Sequence, residues 1–170
     1  DTFEVGPELA KVSFKVRHLG VAWVKGHFKE FEGTVVYDPS DPESISIEVV
    51  VNVAPIFTRD ATRDNHLRSD DFFDGGIYPK MSFSSKAGKK TDGGLLVQGE
   101  LWIRGHTKEV VLEVDGPGEE YTDAEGRRRR KATASAMVFR QEFGMDWKLK
   151  GIVVGKEVYI TLELDLPRSD

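Results

Sequence analysis

Cysteine is absent from the 170 residues, which excludes disulfides, thiolate metal sites and cysteine nucleophiles together. Histidine is scarce. The four that occur, His18, His27, His66 and His106, show no His-x-x-x-His or similar ligand spacing, so no metal site is expected. No apolar run approaches the ~20 residues that a membrane-spanning helix requires. A basic surplus is missing as well: 24 Lys and Arg against 29 Asp and Glu leave a net charge of -5, where a nucleic-acid binder ordinarily carries a positive face. No Gly-x-Ser-x-Gly nucleophile elbow is present. The expectation is a protein with no cofactor, no nucleic-acid partner and no catalytic residue.

What remains is an ordinary globular composition, 39% hydrophobic and 31% charged. The length suits a single domain over residues 1–170, large enough to bury a core. Because residue 1 is Asp and not Met, the expected location is periplasmic or secreted where a leader has been removed, and cytoplasmic otherwise.

Period-2 alternation dominates the chain. Val12, Phe14, Val16 and His18 alternate with Ser13, Lys15 and Arg17, the signature of a half-buried strand that Gly20 ends. Strands are expected next over 21–28 and 31–37, with a turn at Asp38-Pro39-Ser40-Asp41-Pro42. Ile45, Ile47, Val49, Val51 and Val53 give the cleanest run, dense in β-branched residues. Met81, Phe83 and Ser85 come next, then a Gly- and Lys-rich turn over 86–94. Leu95 to Ile103, Val110 to Val114, Ala132 to Val138 and Val158 to Leu166 complete the series. About eight strands with short connections predict an all-β protein, an antiparallel eight-stranded barrel wide enough for filling side chains or one small ligand.

One stretch breaks the pattern. Thr58 to Phe83 is charged at its start and aromatic at its end, and a short helical excursion is expected near residues 58–74. Thr58 or Asp60 would cap a helix over 60–67, and Ser69 a second turn through Phe73. A second charged segment, 115–131, ends in Arg127-Arg128-Arg129-Arg130-Lys131 after four acidic residues. It reads as a solvated hairpin with complementary arms, or else as a basic cluster approaching an anionic membrane.

The motif Arg63-Asp64-x-His66-Leu67-Arg68-Ser69-x-Asp71-Phe72-Phe73-Asp74 followed by Tyr78-Pro79 and Phe83 resembles the YceI-like family. Agreement extends on both sides, through His18-Leu19-Gly20, Gly26-x-Phe28-x-x-Phe31-x-Gly33, Ile103-Arg104-Gly105-x-Thr107-Lys108 and Phe143-Gly144-Met145-Asp146-Trp147. Leu9-Ala10 departs from the His-Ser pair frequent in that family, so no polar role is carried to those positions. The resemblance implies a lipocalin-like barrel that binds a polyisoprenoid or related lipid and transports or sequesters it.

A barrel axis of about 20–25 Å would suit an extended hydrocarbon chain. Small residues at expected inward positions, Gly99, Ala132, Ala134 and Ala136, leave room for one. The ligand would be a long-chain amphiphile: a polyisoprenoid, a quinone precursor or a fatty-acyl lipid. By alternation its tail would meet Phe14, Val16, Ile47, Val49, Phe83, Leu101, Ala134 and Ile160. His18 is expected to point inward, as a hydrogen-bonded core residue or at the head group. Arg63, His66 and Arg68 would hold the helix in place or meet the head group. Outward Trp102 and Tyr159 suggest a homodimer, and delivery of a lipid suggests transient membrane contact. Two other readings stay open: a hydrolase or isomerase using His66 or His18, with Asp64 and Ser69 nearby, and an interaction domain with a filled barrel. Adjacent polar residues on one short helix do not converge as a triad must, which disfavours the first.

Overall fold

The computed structural model describes residues 1–148 and 153–170. The alternation read from the sequence becomes twelve strands: β1 (Thr2–Val5), β2 (Ala10–His18), β3 (Ala22–Phe28), β4 (Phe31–Val36), β5 (Ser46–Asn52), β6 (Ile56–Phe57), β7 (Lys80–Lys90), β8 (Gly94–Ile103), β9 (His106–Asp115), β10 (Tyr121–Thr122), β11 (Arg128–Phe139) and β12 (Val154–Pro167). Every pairing is antiparallel. The ladder runs β1-β4-β5-β7-β8-β9-β11-β12-β2-β3-β6, with β10 attached to β11.

This sheet curls until its ends approach. Phe3 bridges Arg168 and the Ser169 N–H donates to the Thr2 carbonyl at 2.8 Å, so β1 meets the end of β12. Consecutive strands β3 and β4 share no ladder among the described residues, which leaves a seam. The all-β, lipocalin-like expectation holds as a curled half-barrel. Its strand count is nine of six residues or more (β2 to β5, β7 to β9, β11 and β12) and three short ones.

Alternation put the core where it was expected along β5: Ile47, Val49 and Val51 are buried and their neighbours Glu48 and Ser46 exposed. Burial of each such side chain contributes about 1.5–3 kcal/mol. The expected turn over 86–94 is shorter. A bulge between Ser85 and Ala87 shifts the register, and β7 continues to Lys90. A bulge inserts one residue and reverses the facing of the strand beyond it, so charged side chains can continue a strand.

The helical excursion is α1 (Ala61–Arg68), capped by Asp60, whose side chain accepts from the Arg63 N–H at 3.1 Å. Asp60 is thus the cap, while Thr58 bonds a different residue, Asp64. Ser69 ends α1 and caps the expected second turn over 70–73, where the Phe72 N–H donates to the Ser69 carbonyl at 3.1 Å. Its hydroxyl donates to the His66 carbonyl at 2.6 Å and accepts from the Asp71 N–H at 3.3 Å.

The basic run finds most of its partners in its own hairpin and on the adjoining strand β12. Arg127 pairs with Asp123 at 2.9 Å and Arg128 with Glu120 at 3.8 Å. Arg129, buried, reaches Asp123 at 3.2 Å and Asp165 at 3.1 Å. Arg130 bonds the Gly118 carbonyl at 2.8 Å, and Lys131 lies over the Tyr121 ring. The complementary-arm reading describes this segment.

Candidate functional site

Two chambers lie inside the curled sheet. The outer one, about 210 Å³, sits at the end covered by α1 and opens beside the β2–β3 turn. Phe14, Val16, Met81, Val138, Val158 and Ile160 form its wall, and among the described residues the charged or titratable side chains are Arg17, His18, Arg63, His66 and Arg140. The inner one, about 60 Å³, is entirely apolar but for Ser82 and includes Ile47, Val49, Phe83, Leu101 and Ala136. Met81, Ile103 and Ile160 border both. They form the neck between the chambers.

The inward face of β12 shows how incompletely this interior is filled. Val154, Val158, Ile160 and Leu162 are only half-buried, although they pack against the buried core. In a filled barrel, inward aliphatic residues of a long central strand would touch side chains on every side. Here they face open volume. Gly99 does not add to it, because the Phe83 ring occupies the space that a side chain there would need. Ala136 lines the inner chamber, whereas Ala134 is buried and borders neither chamber.

Polar residues of the central motif secure the cover. Asp64 is buried and accepts from the Thr58 N–H at 2.8 Å and the Thr58 hydroxyl at 2.6 Å. Arg63 donates to the Thr58 hydroxyl at 2.8 Å and to its carbonyl at 2.6 Å. Arg68 turns away from the chambers, to the Ala54 carbonyl at 2.8 Å and Asn65 at 2.6 Å. Arg104, in the β8–β9 turn, bonds the Gly144 carbonyl and, at 2.8 Å, the Asp70 carbonyl. Residue Arg140 stands at the opposite side of the mouth, with its guanidinium bonded to the backbone carbonyls of Met145, Trp147, Lys148, Val154 and Gly155.

Asp64→Ala is expected to cost about 2–3 kcal/mol, since it strands a buried N–H and hydroxyl and loses two bonds to a charged acceptor. Urea denaturation of the two proteins measures the difference. A loss below about 0.5 kcal/mol would remove Asp64 as the anchor of α1.

His66 sits at the mouth against an aromatic pair. Its ring meets Phe72 and Trp147 edge-on, with centroids 5.0 and 4.6 Å away, and Nε2 lies 2.8 Å from Asp71 Oδ2. Ser69 bonds the His66 carbonyl and not its ring, so Ser69, His66 and Asp64 do not form a triad. His18, expected inside, is exposed at the rim, because the alternation of β2 ends as the strand passes the mouth.

Of the residues expected to meet a ligand, Phe14, Val16, His18, Ile160, Arg63 and His66 border the outer chamber. Ile47, Val49, Phe83 and Leu101 border the inner one, with Ile160 shared. Ala134 and Arg68 border neither. Met81, Val138, Arg140, Met145 and Trp147 were not among the expected set. Met81 and Val138 share the alternation of Phe83 and Ala134 and were legible on that ground. Met145 and Trp147 lie outside any strand, where alternation says nothing.

Comparison with known proteins gives a consistent result. The sequence profile described as YceI-like domain matches residues 3–166. Protein YceI of Escherichia coli is 36% identical over 138 residues, covering 80% of this chain and 71% of that protein. A Campylobacter jejuni YCEI protein superimposes with a TM-score of 0.80 at 27% identity, over 91% of this chain and 90% of the other. A polyisoprenoid binding domain from Saccharophagus degradans shares the fold, with a TM-score of 0.70 at 11% identity over 98% and 97% of the two chains.

Proposed function

The chain belongs to the YceI-like family, and on that premise we propose that it is a non-enzymatic binding protein for a long-chain amphiphile of isoprenoid or fatty-acyl type. The observation that carries this reading is the unfilled apolar interior, two chambers that share Met81, Ile103 and Ile160 as bordering residues and leave β12 only half-buried. As they stand, the chambers are smaller than the ~300–1,000 Å³ of typical ligand sites. The neck is the place where they grow. Met81 is unbranched and adaptable, and its displacement with Ile160 would join the two volumes into one channel. The tail contributes ~0.8 kcal/mol for each methylene withdrawn from water, which supports retention without demanding a particular lipid. The same fold serves a polyisoprenoid binding domain in Saccharophagus degradans. An apolar cargo also makes contact with a membrane part of the reading, as the source or destination of the lipid.

Organic extraction of the purified protein followed by mass spectrometry tests the proposal. One long-chain species per chain is expected, and Ala136→Leu, which fills the inner chamber, should shift the recovered lipids toward shorter chains by about two to four carbons. A protein that carries nothing and takes up neither isoprenoids nor fatty acids would overturn the reading in favour of a filled interaction domain.

A further inference from the structure

The chain is acidic overall, at -5, yet one outer face gathers a cluster of cations. An open groove across β2, β3 and β12 is lined by Lys11, Lys15, Lys25, His27 and Arg59, with Phe57 and Tyr159, and by no carboxylate. Arg17 on β2 and Lys29 just past the end of β3 extend it. Among the described residues, none of Lys11, Lys15, Arg17, Lys25, Lys29 and Arg59 takes part in an ion pair. Arg127, Arg128, Arg129 and Arg130 of the basic run, by contrast, all take part in ion pairs. Two carboxylates flank the groove on β12: Glu163 across from Lys11, at the end of β2 farthest from the mouth, and Glu157 two residues from Tyr159, toward the mouth. His27 registers the local field: burial first, then Lys11, Lys29 and Arg59, push its pKa below the ordinary histidine value.

The face is ordered by cation–π stacking. Lys15 and Arg17 lie over Trp23, at 4.4 and 4.0 Å from the ring, and Lys29 lies 4.1 Å from the centre of Phe57. Tyr159 closes edge-on against Trp23 at 5.6 Å. The face leads directly to the mouth of the outer chamber, where Arg17 and His18 are lining residues. Beyond them the β2–β3 turn projects Leu19, 57% exposed, and Val21, 79% exposed.

We propose that this face docks the protein on an anionic lipid bilayer, with the cations on the headgroups and Leu19 and Val21 in the interfacial layer, so that the chamber mouth meets the membrane. The inference rests on the lipid-binding reading for its purpose and on the surface alone for its chemistry. A cationic groove is not self-complementary, so a second copy related by a two-fold axis would set cation against cation. Single-stranded nucleic acid needs free aromatic faces for base stacking, and here Trp23 and Phe57 are already covered by cations. Headgroups need only charge, and the exposed aliphatic pair at the turn suits the interfacial layer of a bilayer.

Flotation with vesicles of phosphatidylcholine and phosphatidylglycerol (7:3), against phosphatidylcholine alone, tests the proposal. Binding is expected on the anionic vesicles only, and it should fade as salt rises. Lys15→Glu with Lys25→Glu should weaken it by roughly 25-fold or more, at about fivefold per basic residue. Leu19→Asn with Val21→Ser should weaken it while leaving the charge unchanged, and Asn suits the positive φ of 54° at Leu19. Equal flotation of wild type and the charge variant would overturn the proposal, as would a wild type that ignores anionic vesicles but dimerises, or that binds an oligonucleotide instead. Lipid extraction keeps the two readings apart. Lipid-loaded protein that never floats defeats docking and leaves the cavity standing, whereas empty protein that floats does the reverse.

Discussion

Arg140→Met is expected to lower the free energy of unfolding by about 3–5 kcal/mol, the range for uncoupling a buried charge from its partners. Arg140 is 2% exposed. Its Nε donates to the Gly155 carbonyl at 2.8 Å, Nη1 to those of Met145 at 2.9 Å and Trp147 at 2.6 Å, and Nη2 to those of Lys148 and Val154 at 3.1 Å. Burial pushes its pKa below the usual arginine value, while the nearby charge of Asp146 opposes that shift. A guanidinium stays charged in proteins, and here carbonyl dipoles take the place that a carboxylate would hold elsewhere. Methionine preserves the apolar stem and removes every donor. The orphaned carbonyls then cost ~1–3 kcal/mol each wherever water cannot reach them.

The same substitution should reach the site, because Met145, Trp147 and Val154 wall the outer chamber and owe their positions to this side chain. Arg140→Lys should fall between wild type and Arg140→Met, since an ammonium offers three donors from one point and lacks the planar fork. Urea denaturation followed by far-UV circular dichroism gives the stability change, and extraction gives the lipid occupancy of the folded fraction. A loss under about 1 kcal/mol would show that the loop holds itself.

The reach of the sequence is set by the same physics. Alternation reports a residue's side of the sheet wherever one face is buried, so Phe14, Val16, Ile47, Val49, Phe83, Leu101 and Ile160 were legible as chamber residues. It misses features that depend on partners far along the chain. β1 has four residues and β6 two, too few for a period to register, and both exist because β4 and β3 offer them an edge. The bulge at Ser85 reversed the facing of β7 without a Gly or Pro to announce it. Arg140 drew no expectation from the sequence. Its burial depends on carbonyls up to fifteen residues away, and nothing in residue type marks an arginine that caps a loop. The motif carrying the family resemblance was legible as a unit, though not its division of labour. Asp64, Arg63 and Arg68 hold the cover through backbone and Thr58 contacts, and the flanking aromatics Phe72 and Phe73 supply apolar wall.

Val158→Trp should abolish long-chain binding while leaving the protein folded, and this pairing of effects separates a cavity from a merely loose core. Val158 lies between Val138 on β11 and Val16 on β12's other neighbour, β2, and all three border the outer chamber. It is half-buried although it faces inward, so an indole there enters existing volume near the mouth and need not displace a packed side chain. Apolar area newly withdrawn from water stabilises at about 25 cal/mol per Å², offset in part by strain where the fit is poor. The apo protein should therefore unfold within about 1 kcal/mol of wild type, in either direction. A tail kept from the outer chamber by only four methylenes loses about 3 kcal/mol, a drop of roughly 200-fold in affinity. Val158→Phe, which enters less far, should give a smaller loss at the same stability. Titration with a fluorescent isoprenoid or fatty-acyl probe, beside urea denaturation of each variant, reads both quantities. Wild-type affinity in a folded Val158→Trp protein would place the ligand outside this chamber. A loss of several kcal/mol in stability with the inserted ring would show instead that the space along β12 closes in solution, and that the interior has no room for a tail.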